Sequence, residues 1–374
     1  MSNDLGDITR RTFCKAMAGL ALSPLAGSTV VQAAEAKPEI EVKAIRRLIT
    51  SAYRSGISFP KVSPDGSTIA YFEDRLKFAD MGGGNIREPP YNHNLWDWSP
   101  DGQQLLITSF KFGAKHDEEL AIINIDGSGL EQVSFDNTSV GPGCWSPVGD
   151  KIAYHAVKGS GSRSENEFMT DVYVTNMAKK TITRLAHIPG QEECPVWSPD
   201  GKYIAFCSTF AGVLIKGDSK YTQHQSLKKE IERFNAEGKP VPIELQIKWN
   251  DMIFQGADIY IVEEGGDNLR KIPAIDGGGV GSLAWSPDGN WIVCAGGHYD
   301  GSQLYVVNVH DGRGKRLTEP GGYLIEDQPG GSYKADFYDR APEWTPDGKH
   351  ILFSSNRAEK EGSDLYIMDI KLPD

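Results

Sequence analysis

Short apolar runs bounded by turn residues recur along the chain, and six of them share one internal spacing. The clearest copy is Trp197-Ser198-Pro199-Asp200-Gly201-Lys202-Tyr203-Ile204-Ala205-Phe206. Anchored on its proline, the cassette stands at Pro64, Pro100, Pro147, Pro199, Pro287 and Pro346. Trp98, Trp145, Trp197, Trp285 and Trp344 come two residues before the proline, with Val62 in that place in the first copy. Asp-Gly follows every proline but the third, where the chain reads Val148-Gly149. An apolar triplet then begins five residues past each proline, from Ile69-Ala70-Tyr71 to Ile351-Leu352-Phe353.

Proline presets φ for a turn and Asp-Gly tolerates the reversal, so each cassette predicts strand, hairpin turn, strand. A third strand follows, as in Asp171-Val172-Tyr173-Val174, Asp258-Ile259-Tyr260-Ile261 and Asp364-Leu365-Tyr366-Ile367, and more weakly as Lys77-Phe78-Ala79-Asp80. A fourth is short and basic, as in Ile182-Thr183-Arg184-Leu185 and Leu269-Arg270-Lys271-Ile272. Four antiparallel strands per repeat, repeated radially, predict an all-β fold: a six-bladed β-propeller. The sixth copy has no fourth strand after it, while Ala44-Ile45-Arg46-Arg47-Leu48-Ile49-Thr50 resembles a fourth strand with no first three before it. The N-terminal strand is therefore expected to pair with the last blade and close the ring, leaving no open edge.

The Trp-Ser-Pro-Asp-Gly cassette with a following Asp-x-Tyr strand resembles the WD40-like repeat of the TolB propeller and of the N-terminal propellers of prolyl-oligopeptidase relatives. The resemblance covers residues 44 to 374. It implies the fold and says little about chemistry, since one fold hosts unrelated functions. TolB proper carries a separate α/β domain before its propeller, and here the repeats begin soon after the leader, so a place in the Tol-Pal system does not carry over.

That leader is Thr9-Arg10-Arg11-Thr12-Phe13-Cys14-Lys15, which resembles a twin-arginine export signal, followed by a mildly apolar run from Ala16 to Val31. Small residues offer cleavage after Ala33 or after Ala36. The expected organisation is an export signal over 1–33, a linker over 34–43 and the propeller over 44–374. No stretch reaches the roughly 20 apolar residues of a membrane span, so a periplasmic or extracellular monomer is expected. Formal charge is −12, and loss of residues 1–33 removes three basic and two acidic groups, leaving −13. Such a balance argues against nucleic acid and anionic lipid as partners. Four cysteines lie beyond the leader without zinc spacing and are expected as buried hydrophobes, with one disulfide open to them.

Turns carrying Pro-Asp-Gly gather on one face of the ring. Joins between second and third strands, and between blades, gather on the other, which holds nearly all the irregular sequence. The longest excursion, the blade 4 insertion at 209–256, contains a helical stretch from about Gln223 to Ala236 with Leu227, Ile231 and Phe234 on one side. It continues as Ile243-Glu244-Leu245-Gln246-Ile247-Lys248-Trp249, which alternates like a strand. A second excursion holds Tyr333, Tyr338 and Arg340 in a Gly-rich loop. His93, His116, His155, His187, His224 and His298 map to the same face. A ring of imidazoles over the channel would suit a divalent metal, with His93, His155 and His298 nearest the axis, although a face rich in loops collects histidines in any case. Arg357 is expected as an ion-pair partner for blade acids such as Asp364. The tryptophans before Ser-Pro repeat because each blade needs the same wedge, which favours packing over a saccharide platform.

No Gly-x-Ser-x-Gly, Walker loop, Rossmann glycine pattern or His-Glu-x-x-His occurs in the sequence. The function expected is a non-enzymatic scaffold that binds a periplasmic protein or envelope component through the loop-rich face. Candidate binding residues are His93, His155, Trp249, His298, Tyr333, Tyr338, Arg340 and Arg357. The alternative is β-elimination on acidic saccharides, because oligogalacturonate lyases resemble this repeat pattern and hold a divalent metal by axial histidines. No residue here matches the lyase motif.

Overall fold

A computed structural model describes residues 39–111, 119–134, 140–157, 170–185, 191–208, 258–272, 279–297, 302–319, 322–325, 333–336, 338–358 and 362–373, with scattered residues between 226 and 245. They form a six-bladed propeller. Inner strands are Ser58–Val62, Asn94–Trp98, Val140–Trp145, Glu192–Trp197, Gly279–Trp285 and Asp339–Trp344. Each pairs antiparallel with the strand after its cassette turn, and that strand pairs with a third. Blade 1 has three strands, and its weak fourth is a single bridge between Phe78 and Arg87.

Blade 6 is closed by Glu41–Ile49, which pairs with Asp364–Lys371 from Glu41↔Lys371 to Ile49↔Leu365. Its chemistry is that of an outer strand as well. Arg184 meets Asp171 and Lys271 meets Asp258, an outer-strand base on the buried first acid of a third strand. Arg47 meets Asp364 at 3.2 Å in the same relation. In these three blades the base of the fourth strand thus neutralises an acid that burial would otherwise penalise.

Cores lie between blades rather than within them. Six buried clusters each join two neighbours in turn, including one from blade 6 to blade 1 that holds Ile49, Ile57, Val62, Leu352 and Leu365. The cassette tryptophans supply wedges: Trp98, Trp197, Trp285 and Trp344 are buried, and the indoles of Trp98 and Trp285 donate to the backbone carbonyls of Lys61 and Val196 in the preceding blade.

The turns form a second ring. Within five of the six, a Ser or Thr hydroxyl donates to the Asp two residues on, and that Asp accepts the amide two residues further, as in Ser63–Asp65 at 2.6 Å and Thr345–Asp347 at 2.6 Å. The hydroxyl donors hold the Asp65, Asp101 and Asp200 carboxyls below the usual range. The glycine takes a φ between 68° and 75° in these turns, and a Cβ on Gly66, Gly102, Gly289 or Gly348 would touch the preceding blade's proline at 3.6–3.8 Å. Among the insertion residues described, Leu227 is buried and Ile231 and Phe234 half-buried, while Lys229, Glu230 and Arg233 are exposed, so the apolar stripe faces inward. Leu245 is helical rather than extended; Trp249 lies outside the described residues.

Candidate functional site at the channel mouth

Every inner strand carries a register shift a few residues before its turn: between Ser58 and Lys61, Leu95 and Asp97, Glu193 and Val196, Val280 and Ser282, Arg340 and Glu343, and opposite Tyr154–Ala156. A bulge re-aims side chains. At three of the bulges a non-glycine residue before a proline is forced to positive φ: Phe59 at 50°, Cys194 at 53° and Ala341 at 49°. Such conformations cost about 1–3 kcal/mol each and persist where the surroundings impose them.

The bulges touch their neighbours around the ring. Phe59, 43% exposed, sets its ring edge-on to Trp96 at 5.2 Å. His155 Nδ1 accepts the Cys194 amide at 3.3 Å, which leaves the ring proton on Nε2. Cys194 Sγ donates to the Gly281 carbonyl at 3.1 Å. His155 lies flat across Gly141, where a Cβ would stand 1.8 Å from Nε2, so only glycine fits beneath it. Burial pushes the His155 pKa down to about 4. At neutral pH it is an uncharged wedge between blades 3 and 4.

One step deeper, the residues just before the tryptophan position converge: Lys61, Asp97, Cys144 and Glu343. Lys61 Nζ meets Glu343 Oε2 at 2.8 Å, and Asp97 accepts the amides of Trp98 at 2.9 Å and Trp145 at 2.7 Å. Burial lowers the Lys61 pKa, but the Glu343 and Asp97 carboxylates outweigh it and leave it raised. Burial raises Asp97 and Glu343 against the pull of the same ammonium. We take the set as one ammonium between two acids, the second of which is stabilised by backbone donors.

The expected site residues are only partly gathered here. His93 stacks on Tyr91 at 6.1 Å and has a hydrogen bond to the Thr108 backbone, between blades 1 and 2. His298 lies outside the described residues, and among those described no three His, Cys, Asp or Glu side chains form a metal-holding group. Arg340 is exposed, with its guanidinium 4.6 Å over the Tyr338 ring. Tyr333 falls on a strand, Tyr333–Asp336, paired with Gly322–Ile325, so part of the expected loop is a hairpin. Arg357 is a brace, but the acid it meets is Asp339 at 2.6 Å, with its guanidinium over Phe353 and Tyr366; Asp364 is taken by Arg47. The four cysteines beyond the leader are all free. Phe59, Trp96, Lys61, Asp97 and Glu343 were not anticipated.

The WD40 family model, "WD domain, G-beta repeat", matches residues 267–302, from the outer strand of blade 4 through the second strand of blade 5. A solved structure, "putative TolB from Agrobacterium tumefaciens", superposes with a TM-score of 0.54 over 85% of this chain and 91% of that one. The fold is that of a TolB-like, WD40-like β-propeller. Sequence identity to that structure is 16%. The gluconolactonase XC5397 of Xanthomonas campestris superposes with a TM-score of 0.52 at 10% identity, covering 87% of this chain and 89% of that one. The ring therefore indicates architecture rather than chemistry. The "Uncharacterized peptidase YuxL" of Bacillus subtilis (strain 168) is 25% identical over 230 residues, 60% of this chain and 31% of that one, so the propeller spans about a third of that relative.

Proposed function

We propose that this propeller is an exported binding module that holds a periplasmic protein or another component of the cell envelope at the loop-rich end of its channel. One observation carries the reading. The inner strands accept positive φ at Phe59, Cys194 and Ala341 in one tier, and that tier presents an exposed phenyl ring against Trp96. Backbone strain and an exposed phenyl ring set on a half-buried indole are disfavoured in a channel that only has to be filled, and both suit a surface shaped for an occupant. Arg340 on Tyr338 adds a cation on the neighbouring inner strand, and aromatic and arginine anchors are the residues that dominate binding energy at protein interfaces. No helix among the described residues is long and apolar enough to cross a membrane. Export by residues 1–33 would bring the module to its partner as a folded ring.

The test is photo-crosslinking in living cells. Benzoylphenylalanine at Phe59 is expected to give an adduct of defined mass that is absent when the probe replaces Lys202, an exposed residue of the opposite face. Arg340→Ala is expected to weaken that adduct at least tenfold. Identical adducts from both positions, or none from Phe59, would remove the reading.

A further inference from the structure

Blade 3 breaks the rule its neighbours keep on the face of the cassette turns. Its turn reads Val148-Gly149, so the carboxylate that accepts from the Ser or Thr hydroxyl in the other five turns is missing. Gly149 does not take the positive φ of the other turn glycines, and a Cβ there would meet nothing within 4 Å, whereas Gly66, Gly102, Gly289 and Gly348 each meet the proline of the preceding blade and Gly201 meets Val148. The ring of turns is thus interrupted between blades 2 and 3. Trp145 changes with it. Four cassette tryptophans are buried, but Trp145 is only half-buried, and its indole donates to the carbonyl of its own turn, Gly149, at 3.2 Å. Val148 stands 66% exposed beside it.

What opens there is a cleft of about 680 Å³, in which Trp145, Val148, Met177 and Ile122 provide an apolar wall and Asp101, Glu131 and Asp150 the rim. Among the described residues no Lys, Arg or His lines it; Lys179 and Lys180 stand in the turn just beyond. The larger cleft between blades 5 and 6, about 790 Å³, differs in charge, since Arg313, Lys349 and Lys371 accompany its acids. We infer that the cleft between blades 2 and 3 is a second binding site, taking a basic segment of a partner polypeptide whose Lys or Arg side chains alternate with apolar residues. An indole face attracts a cation that lies over it, and exposed carboxylates around an apolar floor select the same ligand. The regular spacing of tryptophans gives four of them to packing and releases the fifth.

Fluorine NMR of protein containing 5-fluorotryptophan tests this, with Trp145→Phe assigning its resonance among the eight tryptophans. The probe is the peptide acetyl-Leu-Lys-Leu-Arg-Leu-amide. Saturable movement of the Trp145 resonance is expected, with affinity at least tenfold weaker in the exposed pair Glu131→Lys and Asp150→Lys, whose unchanged melting midpoint would show the fold intact. The inference falls if Trp145 moves no more than the other indoles, if the analogue with Glu for both bases binds as well, or if charge reversal leaves affinity unchanged. Tighter binding of neutral maltotetraose would make the cleft a saccharide site and also overturn it.

Discussion

Replacing Lys61 with methionine removes the ammonium that lies between Asp97 and Glu343 and leaves both acids without it. Removing one partner of a buried pair costs about 3–5 kcal/mol, because the remaining charge keeps its desolvation penalty. Lys61 and Glu343 side chains are 22% and 17% exposed, and Asp97 retains two backbone donors, so the low end, about 3 kcal/mol at pH 7, applies. For a chain of this size that is a fall in Tm of roughly 5 °C. The pH dependence is the sharper part. Both acids already have raised folded-state pKa values from burial, and loss of Lys61 raises them further. A carboxyl raised in the folded state makes the native protein bind protons more readily than the unfolded chain, so its contribution to stability grows as pH falls through the folded pKa toward the unfolded value. The difference between Lys61→Met and the parent is therefore expected to narrow between pH 7 and pH 5. Urea unfolding at both pH values measures it, and a second variant, Lys61→Met with Glu343→Leu, should regain most of the loss because the uncompensated charge goes with its partner. A single variant within about 0.5 kcal/mol of the parent at pH 7, or a deficit that widens on acidification, would refute the reasoning.

Two further outcomes follow from the geometry. The imidazole of His155, held near 4, should show no titration by NMR between pH 8 and pH 5.5, and Gly141→Ala should displace it and restore an ordinary midpoint near 6.5; a midpoint near 6.5 in the parent protein would contradict the wedge. A chain begun at Ser51 should melt lower than one begun at Ile40, since burial of Ile49 alone contributes about 1.5–3 kcal/mol and blade 6 would gain an open edge; equal midpoints would deny the closure.

The repeat was legible because its proline, Asp-Gly and apolar triplet are local signals that each blade must satisfy for itself. Closure was legible too, since an outer strand without a blade and a blade without an outer strand call for each other. The site was not. Histidines were read by face, and a face does not say how far a side chain lies from the axis: His93 turned to Tyr91 and His155 to Gly141. A better signal lay in the cassettes themselves. Aligned on the proline, the residue before the tryptophan position is Lys61, Asp97 or Glu343 in three copies and Cys144, Val196 or Ala284 in the others, and charge at a position that packing does not require marks the axis. The prolines Pro60, Pro195 and Pro342, each two residues before the tryptophan position, announced the strained bulges. Arg357 found Asp339 rather than Asp364 because Arg47, 317 residues away in sequence from Asp364, occupies the latter. No local reading weighs that competition.

That same pairing orders events at the ribosome. The strand from Glu41 to Ile49 is among the first parts of the ring to be made, and its partner from Asp364 to Lys371 among the last. At about 5–20 residues per second, some 15 to 60 seconds separate the two. During that time five blades can stack while an Arg-rich strand waits outside with its amides unsatisfied. Its three exposed cations, Lys43, Arg46 and Arg47, are the kind of residues that discourage an unpaired edge from joining another chain. The seam thus carries its own protection against aggregation until the final strand arrives.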